Sequence, residues 1–292
     1  VRDFCDAQEL TLTDNLDDAF SDPDIDAVVL VTPHTQHADQ VIAGAAAGKH
    51  ILTEKPFALK KADGLRAAKA MTGADLTLGI GHNYRYGAAV WEMKRIIESG
   101  KLGDVHHIEG NLSHQGQIGV QGWRRSHDEA PTGGIVHFGA HIIDIMCWFG
   151  GPMREVYAQL ESHILPADVG SVLTRFESGT TGYLANLMTS PASFHLQVMG
   201  SEGWARANGW MDTNKITTCF GAGKIEESGG ITEELELPYR DIYSQIRAND
   251  ENFAAACLGQ EQYLFTPDEM AHTAAIHEAI ATSSTSGLPT AV

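Results

Sequence analysis

Basic side chains are scarce in this sequence. Its 292 residues contain 20 Lys and Arg against 38 Asp and Glu, which gives a formal net charge of −18 at pH 7. This acidity argues against a nucleic-acid partner, because proteins that bind the phosphate backbone concentrate Lys and Arg. No apolar stretch approaches the roughly 18 residues that a membrane-spanning helix needs, so no membrane partner is expected either.

Cysteine is also rare, and the four that occur are widely spaced: Cys5, Cys147, Cys219 and Cys257. Their spacing indicates neither a disulfide framework nor a zinc knuckle. The first residues lack a basic segment followed by an apolar one, so no signal peptide is indicated. We therefore expect a cytoplasmic protein, and we predict no metal site.

Two glycine-containing signatures are missing as well. Residues 79–84 and 221–223 begin like phosphate-binding loops, but neither completes a GxGxxG motif, and both are predicted to be turns. No serine stands in a GxSxG context, so hydrolase chemistry of that type has no support.

The first part of the chain alternates between strand and helix patterns. Residues 27–31 form a short β-branched apolar run, typical of a strand that is buried on both faces. Further helices and strands are predicted in alternation at 38–47, 50–53, 60–71 and 76–80. This order predicts a doubly wound, Rossmann-type α/β domain with a parallel sheet.

From residue 87 onward, strand patterns predominate. Strands are predicted at 105–112, 154–161, 171–176, 182–188, 195–199 and 215–219. Helices are predicted at 88–99, 139–149, 241–258 and 267–282. This half therefore predicts an α+β domain with a mostly antiparallel sheet. We place the two domains at 1–86 and 87–292, with a large shared interface because no linker separates them.

Two tripeptides follow predicted strands at their carboxyl ends, where an open parallel sheet binds its ligands. Thr32-Pro33-His34 follows the first strand, and its proline stiffens the loop. Glu54-Lys55-Pro56 follows the second, and its proline holds Lys55 extended. A lysine fixed there can donate a proton while Glu54 holds it by charge. Taken alone, the first tripeptide also fits an ordinary turn, and the second fits an exposed ion pair.

A third cluster combines two histidines with an acid. In a helix, His137, His141 and Asp144 fall on one face at i, i+4 and i+7. They could transfer protons, with Asp144 fixing the tautomer of an imidazole. A metal is a weaker possibility, since the HxxxH pair lacks an adjacent glutamate, and a satisfied core position is the alternative. Three other histidine pairs are predicted on the surface or in loops: His34/His37, His106/His107 and His272/His277.

Together these motifs resemble, in order and spacing, the Gfo/Idh/MocA family of NAD(P)-dependent oxidoreductases. The segments that carry the resemblance are 28–37, 48–56, 81–86, 100–105, 123–124, 133–134 and 139–144. The most specific of them is Glu54-Lys55-Pro56 after a strand, a helix and a strand. The resemblance is close over residues 10–160, and the later sheet is compatible with it.

The resemblance implies a Rossmann domain followed by a large open sheet that builds a homodimer or homotetramer. It implies NAD or NADP as cofactor and a small-molecule substrate. The implied reaction is hydride transfer at a hydroxyl-bearing carbon of a sugar, cyclitol or alicyclic dihydrodiol. An alcohol yields hydride only as its proton leaves, so a base must touch that oxygen.

The resemblance also assigns roles to individual residues. Lys55, His141 and His137 are the implied catalytic residues, with Lys55 and His141 assisting proton transfer. The implied contacts of the cofactor are Thr32, Pro33, His37, Glu54, Lys55, Pro56, Trp123 and Arg124. The implied contacts of the substrate are Lys55, Asn83, Arg85, His137 and Asp144.

The sequence departs from the family pattern at two places. Many members carry an acid four residues before the histidine, where this chain has His137, so the family's Lys-Asp-His arrangement becomes Lys55-His137-His141. In addition, nothing before Val28 resembles the usual opening strand, GxGxxG-type turn and second strand. By the family's usual length, about 45 residues that carry the first βαβ unit are expected to precede Val1.

These departures leave two other functions open. A non-catalytic binding or assembly protein with a degenerate dinucleotide site would account for the missing turn and for His137. An NAD-dependent glycosidase of the same family would release sugar while retaining its NAD. No motif in these residues fixes the particular substrate or the choice between NAD and NADP.

Overall fold

Two β-sheets form the framework of the protein. A computed structural model describes residues 1–116, 120–210, 212–221 and 231–292. The first sheet consists of β1 (Ala27–Leu30), β2 (His50–Thr53) and β3 (Leu78–Ile80), in that order. All three strands are parallel, which confirms the predicted Rossmann-type sheet.

Four helices precede or connect these strands. They are α1 (Arg2–Ala7), α2 (Leu16–Ser21), α3 (His37–Ala46) and α4 (Lys61–Gly73). Small side chains on α3 and α4, such as Ala45 and Ala67, are buried in the first hydrophobic core. The predicted helices at 38–47 and 60–71 are therefore confirmed within one or two residues.

The prediction that the first strand is buried on both faces is wrong. Val29 and Val31 are 60% and 68% exposed, whereas Leu30 is 2% exposed. Among the described residues β1 is an edge strand that pairs with β2 alone, and its Leu30 side chain packs in the core. The face opposite Leu30 lines cavities at the end of the sheet.

The described residues include nine strands of the second sheet. They are β4 (Val105–Ser113), β5 (Met153–Glu161), β6 (Val169–Phe176), β7 (Thr181–Leu187), β8 (Ser193–Gly200), β9 (Gly203–Gly209), β10 (Lys215–Phe220), β11 (Ile231–Glu236) and β12 (Thr290–Ala291). Their order is β11-β10-β9-β8-β4-β7-β6-β5-β12. Among the described strand pairs of this second sheet, only β4–β7 is parallel, which confirms the mostly antiparallel sheet.

The sequence did not predict three of the strands, β9, β11 and β12. β9 is rich in glycine and alanine, which have low strand propensity. It forms because β8 and β10 pair with it on both sides. Of the turn predicted at 221–223, residues 222 and 223 lie outside the described residues.

Four further helices complete the fold: α5 (Ala88–Glu98), α6 (Ala140–Gly150), α7 (Ile242–Cys257) and α8 (Pro267–Ser286). There are two main hydrophobic cores in the described residues, one beside each sheet. Helix α8 joins them, since Ala274 belongs to the core of the first sheet and Ile280 to that of the second. Gly64 of α4 allows this approach, because a Cβ there would lie 3.0 Å from that of Ala274. The domain boundary at residue 86 stays a prediction. Within the described chain, no helix combines the length and apolarity needed to cross a membrane.

Candidate active site

A cavity of about 380 Å³ lies beyond the carboxyl ends of β1 and β2. Six of the predicted site residues line it: Thr32, Glu54, Lys55, Trp123, Arg124 and His137. Val31, Val120 and Phe138 add apolar surface, and His34 adds an imidazole. The volume lies within the range of about 300–1,000 Å³ that is usual for small-molecule sites.

A second cavity of about 430 Å³ adjoins the first. Glu54, Lys55 and Phe138 line both cavities. The predicted residues Asn83 and His141 line only the second, together with side chains of α7 such as Asp250. Eight of the predicted site residues thus line two adjoining cavities, with Lys55 at their common wall.

Lys55 has the electrostatics of a proton-transfer group. Its Nζ donates to the carbonyl oxygen of His137 and lies 5.9 Å from the centre of the Phe138 ring. Burial lowers the pKa of Lys55 to about 8, an effect that Glu54 opposes and Arg124 reinforces. Near neutral pH the side chain can therefore exist in both the amine and the ammonium form.

A π-helical turn over Ile135–Gly139 precedes α6 and sets the position of His137. This turn interrupts the regular 3.6-residue period, and the three side chains have different surroundings: His137 lines the first cavity, His141 lines the second, and Asp144 pairs with Arg85. The His137 ring lies in the first cavity, with Nε2 3.1 Å from the Arg124 carbonyl oxygen. Burial and the nearby Lys55 lower the pKa of His137 to about 4.

His141 lies in the second cavity, held between two neighbours. Its ring stacks on Tyr84, with centroids 4.1 Å apart and planes at 18°. Its Nδ1 lies 3.5 Å from Nδ1 of His82. Burial, Lys55 and His82 together hold the pKa of His141 well below its usual value, so the imidazole is neutral.

Arg85 and Asp144, two predicted substrate contacts, lie in neither cavity. They form an ion pair in the interior, and both side chains are almost fully buried. Arg85 also stacks on Phe265, with the guanidinium carbon 4.0 Å from the ring centre. Their charges are therefore directed at each other rather than at a ligand.

The loop after β1 is held at both ends by hydrogen bonds of His34, His37 and Glu129, of which only Glu129 was not singled out by the motifs. The His34 Nδ1 lies 2.6 Å from the Glu129 carbonyl oxygen, and the Glu129 carboxylate accepts from the backbone N–H and hydroxyl of Thr35. The two ring nitrogens of His37 each lie 2.9 Å from a carbonyl oxygen, that of Pro56 and that of Thr32. These bonds join the carboxyl ends of β1 and β2.

The predicted surface or loop position is wrong for His37 and His277, which lie in helices and are 0% and 1% exposed. His34 does lie in the loop after β1, but it is buried there. Pro33, His37 and Pro56, three predicted cofactor contacts, are not among the residues that line either cavity. His37 instead shapes the loops that carry Thr32 and Lys55.

The first cavity suits one end of a nicotinamide cofactor. Glu54 offers an acceptor-only carboxylate, and Thr32 offers a hydroxyl. Apolar and aromatic walls, such as Val31 and Trp123, suit a flat ring. Gly81 leaves the space that Glu54 occupies, because a Cβ there would lie 3.1 Å from the Glu54 carboxyl carbon.

Four residues around Lys55 and His141 escaped the sequence reasoning: His82, Tyr84, Phe138 and Glu129. His82 and Tyr84 stand within segment 81–86, which carries the resemblance, so their position was a usable signal. Phe138 is adjacent to His137, but its contact with Lys55 depends on the π turn. Nothing in the sequence around Glu129 marks it.

The protein combines a parallel Rossmann-type sheet, a larger and mostly antiparallel sheet, and a buried lysine just after β2. Two family models match the chain. One, the oxidoreductase family with an NAD-binding Rossmann fold, matches residues 1–82, and the other, the GFO/IDH/MocA C-terminal domain, matches residues 90–206. The chain belongs to the Gfo/Idh/MocA family, as the motifs predicted.

Curated relatives resemble parts of the chain. A 1,5-anhydro-D-fructose reductase of Ensifer adhaerens is 33% identical over 134 residues, which cover 45% of this chain and 40% of the relative. A myo-inositol 2-dehydrogenase of Thermotoga maritima is 28% identical over 216 residues, covering 68% of this chain and 60% of the relative. The chain thus spans less than two thirds of the length of either relative.

Solved structures support the same fold. The WlbA dehydrogenase of Bordetella pertussis, in complex with NADH and UDP-GlcNAcA, superposes with a TM-score of 0.82 at 22% identity. The superposition covers 100% of this chain and 86% of that one. At this level of identity the likeness concerns the fold alone.

Proposed function

We propose that the protein is an NAD(P)-dependent oxidoreductase that transfers hydride at a hydroxyl-bearing carbon of a sugar or cyclitol. The observation that carries this proposal is Lys55, which borders both cavities and has a pKa lowered to about 8. The names of the relatives, which include an anhydro-fructose reductase and an inositol dehydrogenase, support the substrate class.

The nicotinamide, when bound, would supply or accept the hydride. We assign its contacts to the first cavity, where Thr32, Glu54, Trp123 and Arg124 would hold it. The apolar side chains of Val31 and Val120, which line the same cavity, would exclude water from it. The second cavity, with Asn83 and His141, is then left for the substrate.

Lys55 and His141 would handle the proton of the substrate hydroxyl. In the oxidative direction the neutral amine of Lys55 takes this proton, and in the reductive direction the ammonium returns it. When Lys55 is instead the ammonium and donates to the hydroxyl oxygen, the neutral ring of His141 can accept the hydrogen bond of that hydroxyl. The His137 carbonyl holds the Lys55 ammonium in place between turnovers.

The test replaces Lys55 by methionine, which keeps the length of the side chain and removes the amine. Reduced nicotinamide is followed by absorbance with myo-inositol and 1,5-anhydro-D-fructose as trial substrates. We expect Lys55→Met to lower turnover by about a hundred-fold or more, whereas Lys69→Met, at an exposed position on α4, leaves it unchanged. Full turnover in Lys55→Met would overturn the mechanism.

Two readouts separate the alternatives. Failure of the chain to change nicotinamide fluorescence on titration would favour a binding or assembly protein. Release of sugar without net reduced cofactor would favour a glycosidase. The homodimer or homotetramer, and the cytoplasmic location, stay predictions that sedimentation and localisation experiments can examine.

A further inference from the structure

A histidine outside the predicted site lies directly behind His141. His82 follows β3 and is 2% exposed. Its ring centroid is 5.4 Å from that of His141, with the planes at 80°, and the two Nδ1 atoms are 3.5 Å apart. His137, which the motif pattern pairs with His141, is turned instead toward the Arg124 carbonyl.

We propose that His82 is a positioning residue that fixes the tautomer and orientation of His141, so that His141 presents an unprotonated Nε2 to the second cavity. This inference rests on the proposed function, in which the substrate hydroxyl meets His141. It assigns to His82 the role that the sequence pattern suggested for His137.

The first step is the count of protons between the two rings. Burial lowers the pKa of His82 to about 4 and holds that of His141 well below its usual value, so both imidazoles are neutral. Two neutral rings that meet through Nδ1 share a single proton, and one donates while the other accepts. Because His82 occupies Nδ1 of His141, Nε2 is the nitrogen that remains for the cavity.

The second step is the direction of that hydrogen bond, which the surrounding charges select. Lys55, on the cavity side, is a cation that acts on His141 and lowers its pKa. An ammonium attracts a bare ring nitrogen and repels an N–H. His141 is therefore protonated on Nδ1 and donates to His82.

The charged groups near His82 act in opposite directions. Burial lowers the pKa of His82, Asp144 raises it, and Arg85 and Lys55 lower it. His82 also acts on the buried ring of His277. The nearby Asp144 carboxylate favours an N–H on His82, which places the proton of that ring on Nε2 and leaves its Nδ1 free to accept.

The third step is rigidity. Tyr84 covers one face of the His141 ring, and Phe265 lies nearly parallel to His82 with centroids 6.2 Å apart and planes at 29°. Packing on both rings restricts rotation, so the hydrogen bond is maintained. A bare Nε2 held in this way accepts a hydroxyl proton, whereas the other tautomer would offer an N–H and could not.

The direct test is a nitrogen NMR spectrum of the ring nitrogens, recorded on this chain without added cofactor or substrate. We expect His141 in the Nδ1-protonated neutral form at pH 7. His82→Asn retains an acceptor oxygen and should retain this form, whereas His82→Leu lacks an acceptor and should populate the Nε2-protonated form. An Nε2-protonated His141 in the unmodified protein overturns the inference, and so does an unchanged tautomer in a folded His82→Leu.

Turnover supplies the second readout. We expect His82→Leu to lower kcat by about ten-fold or more with a smaller change in KM, and His82→Asn to restore most of it. His272→Asn is the matched control, since Nε2 of His272 also accepts a hydrogen bond, from the Met153 amide. Equal losses in both His82 variants would contradict the inference, whereas full turnover of Lys55→Met would contradict the proposed function and leave the tautomer measurement intact.

Discussion

Arg85 and Asp144 meet in a two-pronged ion pair, with Nη2–Oδ1 and Nε–Oδ2 distances of 2.7 and 2.9 Å. The side chains are 1% and 3% exposed. Arg85 precedes α5 and Asp144 lies in α6, while Glu269 of α8 approaches the same guanidinium at 3.3 Å. Together with Glu269, the pair therefore links the segment before α5, helix α6 and helix α8.

Loss of one partner of this pair should destabilise the protein strongly. Asp144→Ala leaves a buried guanidinium without its carboxylate, and we expect a loss of about 3–5 kcal/mol in the free energy of unfolding by urea. The double variant Arg85→Met/Asp144→Leu should lose less than the sum of the single changes. Asp39→Ala, which breaks an exposed pair with Arg66, is the control and should leave the midpoint almost unchanged. A similar loss of unfolding free energy in Asp144→Ala and in the control Asp39→Ala would refute this explanation.

Gly81→Ala should weaken cofactor binding. The added Cβ would lie 3.1 Å from the Glu54 carboxyl carbon and displace the acceptor that we assign to the cofactor. A charge-assisted hydrogen bond is worth about 1.5–3 kcal/mol, so the dissociation constant should rise by about ten-fold or more in a fluorescence titration. Gly73→Ala adds the same atom where nothing lies within 4 Å. Equal affinity in the two variants would exclude Glu54 as a contact.

Glu129→Ala should loosen the loop after β1 without unfolding the protein. The Glu129 carboxylate accepts from the Thr35 backbone N–H at 2.9 Å and from its hydroxyl at 2.6 Å. Removal of this acceptor should speed hydrogen exchange of the Thr35 amide by about ten-fold or more. Asp128→Ala, next to it in an exposed position, should leave that rate unchanged. No change at Thr35 in Glu129→Ala would mean that the contact does not restrain the loop.

Buried neutral histidines should make the protein sensitive to acid. Burial lowers the pKa of His34 and His277 to about 3, and that of His82 and His137 to about 4. In the unfolded chain these rings take up protons near pH 6.5, so stability is lost as pH falls from about 6.5 toward 4, by up to about 1.4 kcal/mol per pH unit for each ring.

Urea unfolding at pH 7, 6 and 5 measures this slope. His277 lines neither of the two cavities, so His277→Leu tests one ring without touching the proposed site. We expect the free energy of unfolding of His277→Leu to depend less steeply on pH than that of the unmodified protein, by the contribution of one histidine. An unaltered slope would show that His277 is not held neutral in the folded protein.

The local motifs were sufficient to find Lys55, because the strand before it and the proline after it are adjacent in the sequence. The partners of His141 were not accessible in this way. His82 is 59 residues away from it, and the two meet only when α6 packs against the turn after β3. Helical periodicity also did not predict the π turn over Ile135–Gly139, which has no distinctive sequence. The β9 strand likewise depends on its neighbours rather than on its own composition.

The contact between Lys55 and residue 137 involves the main chain of that residue. Every amino acid carries this carbonyl, so a change of side chain at position 137 can alter the shape and polarity of the cavity while the lysine keeps its anchor. The backbone of residue 137 therefore holds the lysine, while its side chain lines the cavity and contacts the Arg124 carbonyl. A substitution at 137 would change what the cavity can bind without removing the oxygen that holds Lys55.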